Sequence, residues 1–568
     1  MTKKFLAALL MIGVMSSAAW CAVEINAVNF PDSVFREYVS QFDWDGDGML
    51  SDEELASETF IGLDGNGNVS SLKGIEYFLN LESLHCDENQ VAEVDLTRNP
   101  KLRSVHLGYN QLRTLDLSHN PLLETIYVRN NQIETIDVSG CMALRDVHVQ
   151  NNMIKTLDLS NRKSLTELYC HDNQLATLNI TGCDALEELH CQTSESSEPE
   201  HTNRLPTLDL SSKPNLKTLY CNGLGLTSID LTDKQNLTLL WCSWNKLTAL
   251  DISGCTALVS LDCNSNQITS LNVVHCQALR YLNCGCNDLK TLDVSQNTAL
   301  VKLEAYACRL SAINVSQNTE LEYLDLGSYY NDRTIRNRIS LLDLSRNTKL
   351  KTLECDNNDL TVIDVSKLPM LERLVVGVNH LTALDTSSNT ALTYLVCGDN
   401  VITTLDLSAN PALEVLRCRS NDLTTLDLSR NPSISDLKCD TNEIASLKVY
   451  RSDNPSYPYQ ADLTEYVGNS FTRITSLTAY DSADKAITVS FSRGNDTAYF
   501  TDCPAKIVYL YDLGYTGTAN ISRTMKVTLT GSGNPEESSN SGGSSGGCTT
   551  GTASFILAAV LVLTFRKR

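Results

Sequence analysis

The sequence predicts a mainly β chain, built as one long solenoid with a small domain at each end. Two observations carry this. A 21-residue pattern, LxxLxCxxNxLxxLDLSxNxx, recurs seventeen times between Leu81 and Asn454. In most units, apolar residues at positions four and six flank a residue of another kind at position five, the alternation of a short strand with one buried face. One such unit cannot bury its apolar edge alone, so the units must stack as parallel strands. A chain of 568 residues that is 42% hydrophobic has ample core material, which excludes wholesale disorder.

The units begin at Leu81, Leu102, Leu123, Leu144, Leu165 and Leu186, resume at Leu216 after an insertion around Ser194–Thr202, and run on to Leu321. A second insertion, around Tyr329–Arg336, precedes the last five units, from Leu350 to Ile434. Position nine is Asn in 15 of the 17 units. Its amide can satisfy turn backbone that would otherwise be buried unpaired. Position six is Cys in eleven units, from Cys86 to Cys439, and exchanges there with Leu107, Val128, Val149, Ala305, Leu326 and Val376. That exchange marks small buried hydrophobes. Cys141, Cys183, Cys255 and Cys276 occupy position nineteen, which is otherwise mostly Asn. Neither set has zinc-site spacing, and in-register side chains point alike, so free thiols are expected. Asp fills position fifteen in 13 units and reads as a solvated, solubilising face.

This pattern resembles the leucine-rich repeat family, close to the internalin-like bacterial surface type, over about two-thirds of the chain. The resemblance implies a curved solenoid with a parallel sheet on its concave side, here over residues 63–454. Position five would then face outward from that sheet. In order it reads His85, His106, Tyr127, His148, Tyr169, His190, Tyr220 and Trp241, then Asp262, Asn283, Glu304, Asp325 and Glu354, then Val375, Val396, Arg417 and Lys438. The first eight form a candidate ligand platform, because flat rings offer contact area at little entropic cost. The competing reading is plain strand preference for aromatics.

The ends carry addresses and caps. Residues 1–22, MTKKFLAALLMIGVMSSAAWCA, have the basic start, apolar run and small residues of a signal peptide, and bulky Trp20 argues against lipidation at Cys21. In residues 23–62, Asp43, Asp45 and Asp47 take loop positions 1, 3 and 5, Gly48 the sharp turn, Met49 a carbonyl at 7, Ser51 position 9 and Glu54 position 12. A hard cation needs that many oxygens. The segment resembles an EF-hand or dockerin-type loop, which implies Ca2+ as a cofactor in a small helical cap; an acidic turn without metal is the alternative. Residues 455–530 contain the alternating runs ITSLTAY, AITVSFS, AKIVYLY and MKVTLTG and predict a β-sandwich-like cap. A Ser/Gly linker fills 531–547. Residues 548–568 bring an apolar run of roughly 25 Å as a helix and the basic end Arg566–Lys567–Arg568. With Gly546, Gly547 and Cys548 this resembles GlyGly-CTERM and Synergist-CTERM tails, implying cleavage and surface sorting, with a retained transmembrane anchor as the alternative.

A net charge of −23 argues against nucleic acid as a partner. No Ser-His-Asp set, phosphate loop or nucleotide fingerprint is present, so an enzyme is not expected. The combination points to a secreted, surface-anchored protein of a bacterial envelope that binds an extracellular protein or glycan, as an adhesion module. Capture of polysaccharide or peptide for nutrition, or a structural surface-layer role, are the alternatives.

Overall fold

The computed structural model describes residues 22–194, 201–328 and 335–439, and a series of strands and turns between 442 and 530. The expected signal peptide up to residue 21, the linker and the tail with Gly546, Gly547 and Cys548 lie outside the described residues, as do the centres of both insertions. The chain divides into two compact units, residues 1–268 and 269–568.

The first unit opens with the strand Val23–Glu24, paired antiparallel with Met49–Leu50, and then the helix Ser33–Val39. Asp32 caps it by accepting from the Val34 and Phe35 N–H groups, while its other oxygen accepts from Ser70 N–H and Oγ–H, both at 2.8 Å. One carboxylate thus ties the cap to the first turn of the solenoid. Phe30, Phe35, Val39 and Phe78 pack at zero exposure beneath it. Three-residue parallel strands follow in strict register, beginning at Phe60–Gly62 and running through Ser83–His85 to Ser260–Asp262. The run therefore starts one coil earlier than the 21-residue pattern shows. Phe60–Gly62 pairs with Ser83–His85 inside the stretch expected to be cap alone.

In the second unit the same strands run from Tyr281–Asn283 to Asp436–Lys438. Two sheets follow. One orders Asn442–Ile444, Thr524–Thr530, Lys506–Asp512, Ile474–Tyr480 and Ala486–Ile487. The other orders Tyr450–Arg451, Tyr459–Asp462, Thr497–Phe500 and Val489–Ser492. Tyr509 Oη donates to the Thr424 carbonyl at 3.0 Å, which seats this region against the solenoid.

Positions four and six point inward as the alternation requires; Leu84 and Cys86, for example, have no exposure. No disulfide joins the cysteines among the described residues. Burial pushes the Cys86, Cys141, Cys191 and Cys397 thiols up to about 12, so they stay protonated and unreactive.

Position nine uses both ends of its amide. Asn152 Nδ2 donates to the Val128 and Val149 carbonyls, at 3.0 and 3.1 Å, and its Oδ1 accepts from Ile133 N–H at 2.9 Å. Position nineteen uses the donor alone, except at Asn410, whose Oδ1 accepts from Thr386 Oγ1 at 2.8 Å. Asn120 Nδ2 donates to the Leu96 and Asn99 carbonyls, while its Oδ1 has no partner. A thiol or a cationic head can therefore stand in. Cys141 and Cys183 donate Sγ–H to the Leu117 and Leu159 carbonyls, Arg162 reaches the Val138 carbonyl, and Lys213 donates to that of Ser211. These two cysteines are hydrogen-bond donors as well as filler.

Position fifteen is more than a solvated ornament. Asp116, Asp158, Asp251 and Asp427 each accept the N–H two residues on, at 2.9 Å, closing a turn. Asn179, Asn272 and Asn314 do the same where Asp is missing. Those bonds favour the ionised form and hold the carboxyls of Asp137 and Asp158 below the usual range.

The asymmetry between the two Asn rows yields a contrast. Asn120→Cys keeps a donor and should cost under about 1 kcal/mol. Asn152→Cys strands the buried Ile133 N–H and should cost about 2 kcal/mol more. Thermal melts of the two variants decide it, and equal losses would refute the donor-only account.

Candidate functional site

The sheet face of the first unit carries a continuous stack of rings. Because each strand pairs with the next in strict register, position-five side chains fall directly beside one another. Ring centroids of His85 and His106 lie 4.0 Å apart with planes at 18°. The stack continues His106–Tyr127 at 4.6 Å, Tyr127–His148 at 4.3 Å, His148–Tyr169 at 4.3 Å, Tyr169–His190 at 4.1 Å and His190–Tyr220 at 4.4 Å. Phe60 closes one end edge-on at 5.1 Å, and Trp241 meets Tyr220 at 66° at the other. All eight sequence-predicted platform residues are thus brought together.

Their presentation differs from a flat platform. Neighbours consume the ring faces, so the first seven rings are half-buried and offer edges. Trp241 is the exception, 37% exposed. Beside it stands a residue the sequence reading passed over. Trp244 is 55% exposed and sits at position eight, where the backbone takes a left-handed turn, φ +56°. A bulky side chain is disfavoured there. Its neighbours at that position include Asn130, Asn151 and Asp172, residues that suit such a turn. A Trp among turn formers is the signal that could have found it.

Flanking rows add charge and polarity on the same face. Position three supplies Asp146, Glu167 and Glu188 in three successive coils. Tyr169 Oη donates to Glu188 Oε2 at 2.8 Å. Position seven supplies Gln150, His171, Gln192 and Asn222. Burial holds His148 and His190 down to about 4, so both imidazoles are neutral at pH 7.

In the second unit the stripe changes character. Glu304, Asp325 and Glu354 stack on adjacent strands. Burial and the neighbouring carboxylates push Asp325 up to about 7. Arg373 pairs with Glu354 at 2.6 Å and covers the Tyr394 ring at 3.8 Å, while Lys302 covers Tyr323. The Tyr323 and Tyr394 rings are therefore covered by cations of the same chain. Val375 is fully packed, and Arg417 is paired with Asp436.

The acidic loop gathers three of the candidate ligands. Carboxylate oxygens of Asp43, Asp45 and Asp47 lie within 4.8 Å of one another, with no basic partner among the described residues. Asp43 accepts from the Gly46 and Gly48 N–H groups, and both glycines have positive φ, so the loop wraps its own carboxylate. Ile25 N–H bonds the Gly48 carbonyl, which makes Glu24–Met49 the non-hydrogen-bonded pair and turns the Met49 carbonyl away from that strand. Glu54 is placed differently. Its oxygens lie outside the cluster and accept from Trp44 N–H at 2.6 Å and from Ser51 N–H and Oγ–H at 2.8 Å. Ser51 and Glu54 form the capping box of the helix Asp52–Ser57. The donor set of Asp43, Asp45, Asp47 and the Met49 carbonyl fits a hard cation; Glu54 would have to rotate off Trp44 to join it.

No family model and no curated protein matches the chain by sequence. Solved structures do match its fold. The functional domain of InlJ from Listeria monocytogenes, described as including a cysteine ladder, is 20% identical with a TM-score of 0.59, over 90% of this chain and 98% of that one. YopM from Yersinia enterocolitica is 25% identical with a TM-score of 0.51, over 73% and 93%. A plant peptide hormone receptor, RGFR1 in complex with RGF2, is 20% identical with a TM-score of 0.55, over 64% of each chain. The fold is a leucine-rich-repeat solenoid.

The buried imidazoles give stability a pH dependence. Their folded values lie below the free value of 6.5, so above pH 6.5 both folded and unfolded states are neutral and nothing changes. As pH falls from 6.5 towards 4, the unfolded chain binds protons first and stability drops. Asp325, raised instead, acts in the opposite sense, its penalty vanishing as pH falls. The double variant His148→Phe/His190→Phe should flatten the fall of Tm between pH 6.5 and 4.5. An unchanged slope in a pH series of melts would contradict the assignment.

Proposed function

We propose that the chain is an extracellular recognition module displayed on a bacterial surface, which binds a partner protein through the ring ladder from His85 to Trp241. The observation that carries this reading is the ladder itself. Seven half-exposed rings and one exposed Trp are fixed by mutual stacking, so little side-chain entropy remains to be lost on binding. A ladder kept for strand preference alone would not need imidazoles at four of eight rungs, because His is not a favoured strand residue. One solenoid of this fold, a plant peptide hormone receptor, is solved in complex with RGF2, which supports a protein or peptide ligand. The acidity of the chain disfavours nucleic acid. The apolar leader and the Gly546–Gly547–Cys548 tail support secretion and anchoring. Adhesion needs no chemistry beyond this face, and the reading assigns no catalytic residue.

Ca2+ fits the reading as a structural cofactor held by Asp43, Asp45, Asp47 and the Met49 carbonyl. When bound it would neutralise three clustered carboxylates and stiffen the cap that shields the first strand.

Two measurements test these claims. Full-length protein presented to an array of extracellular proteins, with a glycan array in parallel, should retain a protein ligand. Tyr169→Ala/Trp241→Ala should weaken that retention at least tenfold with the fold intact by circular dichroism, whereas unchanged retention, or retention of glycans alone, would overturn the reading. Calcium at a hundredfold excess over its Kd should stabilise the cap by about 2.7 kcal/mol. Chelation should reverse the rise in Tm and Asp45→Asn/Asp47→Asn should abolish it; a Tm indifferent to calcium would remove the cofactor.

A further inference from the structure

The unsatisfied polar atoms of the sheet face are concentrated in one place. At positions five and seven of the four coils that begin at Leu144, Leu165, Leu186 and Leu216, six buried side-chain atoms lack any hydrogen-bond partner. They are His148 Nε2, Gln150 Oε1, His171 Nδ1, His190 Nε2, which faces Glu188 Oε2 at 3.8 Å, beyond hydrogen-bond reach, Gln192 Oε1 and Asn222 Oδ1. Elsewhere among the described residues, neither position contributes such an atom. Gln150 is 7% exposed, so its oxygen is not simply left to bulk solvent. An orphaned buried acceptor is costly and asks for an explanation.

Beside this row runs the acidic one. Asp146, Glu167 and Glu188 sit on successive strands, paired rung to rung. Like charges directly opposite on a sheet repel. Glu188 accepts from Tyr169, and Asp146 accepts only a long 3.3 Å bond from Thr166. Glu167, between them, makes no ion pair or hydrogen bond among the described residues, and its carboxyl is held above its usual value by burial and by its neighbours Asp146 and Glu188. Of the bordering bases, Arg129 is turned over the Tyr109 ring and Arg145 is directed to Glu124. The face thus carries three carboxylates and three unpaired amide oxygens, with no lysine or arginine paired to them among the described residues.

The layout distinguishes between two cationic ligands. A metal ion needs ligand atoms converging on a point. Among the described residues only Asp43, Asp45 and Asp47 converge in that way. The atoms here are strung out, one coil per step. With strands about 4.8 Å apart, four coils span roughly 14 Å, the length of four or five residues of extended chain.

We propose that this stretch of the ladder binds an extended segment of the partner protein bearing arginine or lysine side chains. Its cationic heads meet Asp146, Glu167 and Glu188, its donors satisfy the position-seven row, and its aliphatic stems lie on the ring edges between. The inference rests on the protein-binding reading above and names the chemistry of the segment that this face takes.

The test uses the full chain and blocked pentapeptides of arginine, glutamine and glutamate, with binding followed by calorimetry. The arginine peptide should bind and the other two should not. Glu167→Gln should weaken binding about tenfold, and D146N/E167Q/E188Q at least a hundredfold. Attraction to a chain of net charge −23 is controlled by E93Q/E134Q/D184N, which removes three exposed acids lying off this face and should bind as wild type. Circular dichroism melts confirm that each variant folds. Equal losses in the two triple variants, no binding by wild type, or binding of zinc or a glycan in its place would overturn the proposal. The outcomes also separate the two readings. If the arginine peptide fails while array retention still depends on Tyr169 and Trp241, only this inference falls. If retention ignores those rings, the reading beneath it falls as well.

Discussion

Fifteen of the seventeen coils turn on a carboxamide at position nine. A 21-residue coil must reverse direction several times without leaving backbone N–H or C=O groups stranded in its core. At position nine a single Asn side chain answers for three of them: Asn379 donates to the carbonyls of Cys355 and Val376 and accepts from Leu360 N–H. The bond reaches from one coil to its neighbour, so it also fixes register. Register in turn places every position-five side chain beside its counterpart. The ring stack is a consequence of that lattice. Where the ninth residue is Cys308, the thiol keeps the donor half by bonding the Cys284 carbonyl.

The parts of the fold written at fixed spacing were legible in the sequence. Apolar alternation gave the strands, their inward face and the thiol environment, because burial depends on period alone. The first strand, Phe60–Gly62, was not legible. Its coil lacks the LxxLxC signature, since the cap helix and Phe78 supply its core instead. The same limit explains Asp at position fifteen. Composition shows an exposed acid, whereas the closed turn depends on where the next N–H but one points. Glu54 is a case of two motifs in one spelling. Ser51-x-x-Glu54 completes a twelve-residue acidic loop and is also a capping box, and the side chain takes the cap.

The candidate face was legible as a list of residues but not as a surface. Sequence placed the eight rings in one row; it could not show that stacking at just over 4 Å would turn faces into edges. Nor could it show that Arg373 and Lys302 cover the tyrosines of the second unit. The position-seven row escaped notice for another reason. Gln150, His171, Gln192 and Asn222 share no residue type, so no repeat count exposes them, and they form a set only through their missing partners.

That absence separates scaffold from site. Position nineteen also leaves buried amide oxygens unpaired, as at Asn99, Asn297, Asn318 and Asn389, yet there the orphan recurs in coil after coil along the repeat. It is a cost of the scaffold, tolerated because the donor half of the amide does the structural task. The orphans beside the ladder are confined to four successive coils and coincide with three acids that repel one another. Replacing Glu167 with Gln or Thr would relieve that repulsion without disturbing any strand. Stability alone gives no reason for the carboxylate, and local rules broken without structural compensation are expected where a chain serves binding. The same test applied to the second unit gives the opposite answer. Glu354 there is matched by Arg373 and Arg417 by Asp436, so much of that stretch of the stripe is satisfied within the chain and presents less for a partner to complete.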